Sequence, residues 1–319
     1  MISYSLKGRG SQIIARVLYL GIALACCLPW CSPPVALAAG LALGLLGLNP
    51  WPKQSFSASK VLLKISVVGL GFGMTAATVF QTGRTTFVYT GLGIALAVTA
   101  GVLLGRFFAV PFNSAFLISA GTAICGASAI AAVCPIIDAR EEETAVSFST
   151  VFVLNSIGLI VFPLIGAALR LSQTQFGLWA ALAIHDTSSV VGAGMRYGPL
   201  ALTIGATVKL VRSLLIVPLV VGSAFALRSR ARIAWPWFIL FFAVATWING
   251  AFPVQRPVWS AISHVGRIGF TITLFLIGSG LRRAALARIG WRPLAMGVLL
   301  WILIASVTLT CIQRGWISR

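Results

Sequence analysis

Apolar runs of about 18 residues or more, each long enough to cross a bilayer, follow one another along this 319-residue chain with only short polar breaks between them. Strands of a membrane barrel alternate apolar and polar positions over roughly ten residues; these runs do not alternate. The expected class is therefore an all-α integral membrane protein. The charged share decides against a soluble domain, being 9% where about a quarter is usual.

The formal charge of +19 would suggest nucleic acid in a soluble protein. Here the basic residues lie mainly between apolar runs, as topological anchors, so no nucleic-acid partner is expected and the lipid bilayer is. Acids are the scarcer class: Asp138, Glu141, Glu142, Glu143 and Asp186 are all there are, and four of them share one loop. The six cysteines, Cys26, Cys27, Cys31, Cys125, Cys134 and Cys311, show no metal-ligand spacing. Neither a metal nor another cofactor is expected.

The pattern predicts eleven helices, at 13–30, 34–48, 59–80, 86–106, 114–137, 144–169, 175–195, 198–225, 235–252, 259–281 and 291–312, with prolines at or near many of their boundaries. The basic start followed by an apolar run resembles a signal peptide, but a retained first helix is the better reading. With the amino terminus cytoplasmic, the inner side carries Lys7, Arg9, Arg16, Lys53, Lys60, Arg106, Arg170, Arg228, Arg230, Arg232, Arg282, Arg283, Arg288 and Arg292. The outer side then carries only Arg84, Arg140, Arg196, Arg256, Arg314 and Arg319. The positive-inside rule thus predicts the amino terminus inside and the carboxyl terminus outside. A glycine echo between V-G-L-G-F-G-M (68–74) and F-L-I-G-S-G-L (275–281), on spans running in opposite directions, points to inverted repeats. The expected organisation is one polytopic domain, 1–319, with an extra first helix at 13–30 and repeats at 34–169 and 175–312.

Charge inside a span costs about 2.5–3.5 kcal/mol and marks a functional site by default. At about 1.5 Å of rise per residue, Asp186 with His185, Lys209 with Arg212, and Arg267 fall roughly 12–20 Å deep. The stretch Ser119–Ser128, S-A-G-T-A-I-C-G-A-S, reaches the same plane. Its glycines and hydroxyls favour an interrupted helix, tolerated in lipid only where it is buried in protein or lines a cavity. Lys209 pairing with Asp186 would be a purely structural arrangement. Arg212 and Arg267 would then still lack an acid, and surplus buried positive charge calls for an anion. His185-Asp186-Thr187-Ser188-Ser189, read as helix, puts adjacent residues about 100° apart, so no His–Asp dyad forms and catalysis is not expected. Asp186 and Ser189 would share a face. Lys64 is expected to snorkel to the interface, His264 and Trp259 to be interfacial, and Asn155 and Asn249 to make interhelical hydrogen bonds.

Four motifs in order, G-T-A-I-C-G-A-S-A-I (121–130), H-D-T-S-S-V-V-G-A-G (185–194), K-L-V-R-S-L-L-I-V-P (209–218) and W-P-W-F-I-L-F-F-A-V-A (235–245), resemble those of a bacterial inner-membrane family named for sulfate export. That family is similar to the bile-acid symporter and sodium/proton antiporter superfamily. The resemblance implies an inverted-repeat secondary-transporter fold with panel and core domains and two discontinuous helices crossing at the midplane. It carries over Ile124, Cys125, Gly126, Ala127, His185, Asp186, Lys209 and Arg212. This chain has Asp186 where that family usually carries Glu, which leaves the partner of the shorter side chain open.

The leading expectation is a secondary transporter exporting a small anion, sulfate or sulfonate-like, by alternating access. Thr122, Cys125, Gly126, Ser128, Lys209, Arg212 and Arg267 would bind the substrate, and Asp186 and His185 would carry the coupling ion or proton. A cation/proton exchanger or sodium-coupled symporter of the same superfamily is the alternative. A homodimer is one of the assemblies the sequence leaves open.

Overall fold

Prolines and side-chain caps cut the apolar runs into helices. In a computed structural model, residues 9–28, 31–226, 237–280 and 290–317 are described. Among them the chain is helical with no strand: α1 (Arg9–Ala25), α2 (Pro33–Leu45), α3 (Pro52–Gly71), α4 (Ala76–Phe107), α5 (Phe112–Ala123), α6 (Ala127–Val133), α7 (Glu141–Ala168), α8 (Gln173–Ala183), α9 (Thr187–Tyr197), α10 (Pro199–Leu214), α11 (Ile216–Ala226), α12 (Trp237–Ala251), α13 (Arg256–Gly280) and α14 (Trp291–Gln313). Proline opens α2, α3 and α10, where its missing N–H would have no partner anyway. A Ser172–Gln175 capping box starts α8.

Among the described residues, five helical segments are long and apolar enough to cross a membrane: Phe87–Phe107, Glu141–Ala168, Pro199–Phe225, Pro253–Gly280 and Trp291–Gln313. Along α4, Val88, Leu92, Leu96, Leu103 and Phe107 stand exposed at helical spacing. That stripe would be an error on a soluble protein and suits contact with lipid chains. The all-helical membrane class therefore holds.

Several expected boundaries move. The third and fourth helices meet at residues 72–75 rather than 81–85. Gly73 lies so close to α13 that a Cβ there would sit 2.4 Å from the Ser263 hydroxyl, and the chain turns at this contact. Arg84 consequently lies exposed within α4 instead of in an outer loop. The expected eighth helix is divided at Leu215, because Pro218 has no N–H to offer the Leu214 carbonyl. Lys7, Arg228, Arg230, Arg232, Arg282, Arg283, Arg288 and Arg319 lie outside the described residues.

The chain forms two compact units. The first comprises residues 1–75 and 240–286. Here α13 packs along α2 and α3 through small residues: a Cβ on Gly40 would strike the Phe275 carbonyl at 2.1 Å, and one on Gly69 would meet Gly266 Cα at 3.2 Å. A buried polar knot ties its helices, with Tyr19 Oη 2.7 Å from Ser55 Oγ and 3.1 Å from Ser279 Oγ, and Asn49 Nδ2 donating to the Ser279 carbonyl at 2.9 Å. Asn249 donates to the Met74 carbonyl at 3.0 Å, tying α12 to the turn after α3 rather than to another helix as expected.

The second unit comprises residues 76–239 and 287–319. Its core gathers Leu117, Ile124, Ile130, Val151, Leu300 and Ile304 from α5, the segment after it, α6, α7 and α14. At its edge Arg140, Glu143 and Asn113 join the starts of α7 and α5: Arg140 Nη2 lies 3.0 Å from Glu143 Oε1, and Asn113 Nδ2 donates to Glu143 Oε2 at 3.0 Å.

Candidate functional site

Two helices of the second unit stop in the middle of the protein and restart. The first break lies between α5 and α6. Ile124 leaves the helical region (φ −125°, ψ −84°), and Gly126 takes φ +60°, ψ −120° before α6 begins. That is the mirror image of the first corner of a type II turn, open to glycine and strained for any other residue. The Gly126 N–H closes the loop onto the Gly121 carbonyl at 2.9 Å.

The second break lies between α8 and α9, and a side chain makes it. Ile184 (φ −81°, ψ 135°) and Asp186 (φ −103°, ψ 149°) are extended. Asp186 caps α9, its carboxylate accepting from the Ser188 N–H at 3.1 Å and from the Ser188 hydroxyl. Asn155 on α7 holds the cap from outside: Oδ1 accepts the Asp186 N–H at 3.0 Å, and Nδ2 donates to Ser189 Oγ at 2.7 Å. The helical reading of His185–Ser189 is thereby corrected. Asp186 shares its bonds with Ser188 rather than a helix face with Ser189, because an Asp followed by Thr-Ser-Ser caps a new helix.

The two breaks meet. A Cβ on Gly126 would lie 3.4 Å from Asp186 Cβ, so the amino-terminal ends of α6 and α9 face the same place. Their carboxyl-terminal counterparts are tied together by α10. Arg212 Nε donates to the Ala123 carbonyl at the end of α5 at 2.6 Å, while its Nη1 donates to the Ala181 carbonyl at 3.3 Å and to that of Leu182, near the end of α8. Lys209 Nζ donates to the Ile184 carbonyl at 2.7 Å and the Ala181 carbonyl at 3.5 Å. Lys209 is 0% exposed and Arg212 1%. Trp301 on α14 completes the set, its Nε1 donating to the Ala183 carbonyl at 3.0 Å.

This geometry changes the charge account. Among the described residues Lys209 makes no ion pair with Asp186; both cations bond the carbonyls that interrupted helices leave without partners. Each helix end carries about half a charge. Two carboxyl-terminal ends thus offset about one of the two cations, and two amino-terminal ends about balance an ionised Asp186. With both cations charged and Asp186 ionised, about one positive charge would remain where the breaks meet. The side chains alone give the same figure, two cations less one carboxylate, because the helix ends about offset each other.

Of the other expected site residues, Thr122 is buried and its hydroxyl donates to the Ile118 carbonyl at 2.9 Å. Cys125 is buried in the first break, and Ser128 is exposed in the first turn of α6. Arg267 belongs to the first unit, on an exposed face of α13. His185 lies in the second break, 0% exposed, its ring 5.9 Å from that of Trp301. Lys64 and His264 are exposed. Asn155 and Trp301 are the site residues that sequence reasoning missed as such. A signal for the second break was present: A-I-C-G-A-S (123–128) and A-I-H-D-T-S (183–188) share Ala, Ile and Ser in register, which aligns Cys125 with His185 and Gly126 with Asp186.

The family model described as "Conserved hypothetical protein 698" matches residues 20–297. A UPF0324 membrane protein of Geobacter sulfurreducens is 45% identical over 96% of this chain and 99% of its own. Another, from Bdellovibrio bacteriovorus, is 43% identical over 95% and 96%, and one from Bacteroides thetaiotaomicron is 44% identical over 89% and 87%. No solved structure matches. Matched over most of its length and equipped with helices that can cross a bilayer, the chain belongs to the UPF0324 family of membrane proteins.

Proposed function

We propose that this protein is a secondary transporter that moves a small oxyanion or sulfonate outward across the bacterial inner membrane by alternating access. One observation carries the reading: Lys209 and Arg212, fully buried, stand where two interrupted helices cross. A merely structural bundle would have no use for interruptions so deep, because each frees backbone groups that must then be answered. The donors at the crossing, two cations and two helix starts, suit an anion. No arrangement at this site resembles an activated nucleophile, and the reading is of a transporter rather than an enzyme.

The finer architecture belongs to the same proposal. The second unit would be the core domain and the first the panel. The α5–α6 and α8–α9 pairs would be equivalent elements of two inverted repeats within an eleven-span array, with the amino terminus inside and the carboxyl terminus outside. The register between 123–128 and 183–188 supports that pairing. The resemblance to the sulfate-export family supports the cargo class. Energetics support the direction: an inside-negative membrane drives an anion outward by about 2.3 kcal/mol per charge per 100 mV. Cys125, Gly126, Lys209 and Arg212 would line the anion path, with Thr122 and Ser128 flanking it. Asp186 and His185 are the candidates for a coupled proton.

The test is flux of radiolabelled sulfate and methanesulfonate in proteoliposomes under an imposed potential. Potential-driven anion flux that is lost in Lys209→Ala and Arg212→Ala is the expected result. Absent anion flux, with sodium- or proton-dependent cation flux in its place, would replace this reading with that of a cation exchanger.

A further inference from the structure

The most unusual polar group in the molecule is the imidazole of His185. It is 0% exposed, and both Nδ1 and Nε2 lack a hydrogen-bond partner. A neutral imidazole offers one donor and one acceptor, and each buried without a partner costs about 1–3 kcal/mol. The backbone on either side of the ring is engaged. The carbonyl before it accepts from Lys209, and the N–H after it donates to Asn155. The Asp186 carboxylate is taken by Ser188. The break is therefore held rigidly on both sides, with the His185 ring as its free hydrogen-bonding group.

We infer that His185 takes up a proton when a dianion enters the crossing, and that Asp186 does not. The inference rests on the proposed anion transport and assigns its coupling group. With Lys209 and Arg212 charged, Asp186 ionised and the helix ends about offsetting each other, the crossing holds about one surplus positive charge. A proton on His185 would add to it, so the ring is neutral without ligand. A monoanion balances the surplus with no further change. A dianion leaves one negative charge over, and a proton on the bare ring nitrogen restores balance while giving the anion another N–H donor. The proton comes from the solution on the side of entry and leaves to the other side with the anion, so the pair carries a net single negative charge. Asp186 already accepts from the Ser188 N–H and hydroxyl at a helix start, a place that suits a carboxylate.

The groups that bear on this titration, element by element, are Lys209 and Arg212 on α10, Asp186 at the start of α9 and the Cys125 thiol in the first break. From α7 comes Asn155 and from α14 Trp301, neither of which titrates. The chain has just one other histidine, His264, exposed on α13, so His264→Gln leaves a single imidazole to observe.

The experiment uses that variant in liposomes with isotope-labelled imidazole nitrogens. Their NMR shifts report the ring as neutral or imidazolium at neutral pH. The ring is expected to be neutral without anion, neutral with methanesulfonate and imidazolium with sulfate. A ring that stays neutral in sulfate, or that becomes imidazolium equally in both, overturns the inference. In parallel, proton movement is read beside sulfate flux. In the wild type a proton should accompany each sulfate, whereas His185→Gln, which keeps a donor and an acceptor but cannot take the charge, should weaken sulfate binding relative to methanesulfonate and lose the proton uptake that accompanies it. An unchanged proton-to-sulfate ratio in His185→Gln also overturns it. Imidazolium formation in sulfate without any sulfate flux would retain the inference and remove the transport reading, so the two fail separately.

Discussion

The two helix breaks stand against each other, yet they are made by different physics. At 124–126 the backbone does the work: Gly126 adopts a left-handed corner, and side chains contribute little. At 184–186 the backbone is merely extended, and the break depends on a carboxylate, a hydroxyl and an amide reaching it from Asp186, Ser188 and Asn155. A conformational break resists substitution through one residue's φ; a hydrogen-bonded break resists it through several partners. Arg212 is common to both. Its loss should therefore have the largest effect: Arg212→Ala leaves the Ala123, Ala181 and Leu182 carbonyls without this donor. Each buried carbonyl left unmet costs about 1–3 kcal/mol, so the three together should exceed any other substitution here, to be read as thermal unfolding in detergent. Arg212→Lys, which can reach only part of the set, should recover a fraction.

Gly126→Ala probes the conformational break alone. The space is adequate, since a Cβ would meet its nearest neighbours at 3.4–3.5 Å, so any loss is backbone strain. About 1–3 kcal/mol is expected. Gly126→Asn should fare little better, because asparagine tolerates the left-handed helical region and not ψ −120°. The same substitution scanned at residue 186, where φ is ordinary, should show no such strain. A stable Gly126→Ala protein would mean that the first break, like the second, is held by its contacts.

The side-chain break should lose less per substitution. Asn155→Leu leaves the Asp186 N–H without its acceptor and should cost about 1–3 kcal/mol. Asp186→Ala removes the cap and should cost about 1 kcal/mol, while Asp186→Asn, which can still accept, should cost only a few tenths. A larger penalty at Asp186 than at Asn155 would show that the carboxylate's charge, not its capping oxygen, holds the second break.

The asymmetry also explains what could be read from sequence. Gly121 and Gly126 in an apolar run announce an interruption, because glycine is a backbone signal. Asp186 announces only a buried charge, and its neighbours read as helix, since an N-cap inside a span looks the same as a polar helix face until its partners are known. Lys209 and Arg212 were located by depth alone, but their carbonyl partners come from segments 25 to 89 residues away in sequence, which no local pattern encodes. Asn155 was assigned an interhelical bond without its address. Arg267 matched the others in depth, and depth says nothing of which unit a helix joins.

The smallest expected effect separates binding from scaffolding within the first break. Thr122 sits one turn before Gly126 and looks, by position, like an anion ligand. Its hydroxyl proton is already directed to the Ile118 carbonyl, however, and what remains is a pair of lone pairs, which an anion does not seek. Thr122→Val keeps the shape and removes only the hydroxyl. Stability should move by less than about 0.5 kcal/mol, as for a substitution that breaks no network, and the KM for sulfate should be unchanged. Cys125→Ser, one residue before the glycine corner, serves as the contrast, because it adds a stronger donor where α5 has already ended. If Thr122→Val raises KM while Cys125→Ser leaves it alone, the hydroxyl rotates away from Ile118 to meet the anion, and the binding surface extends into α5. If neither changes it, the anion is held by α10 and the two helix starts, and the break between α5 and α6 shapes the site without touching what binds there.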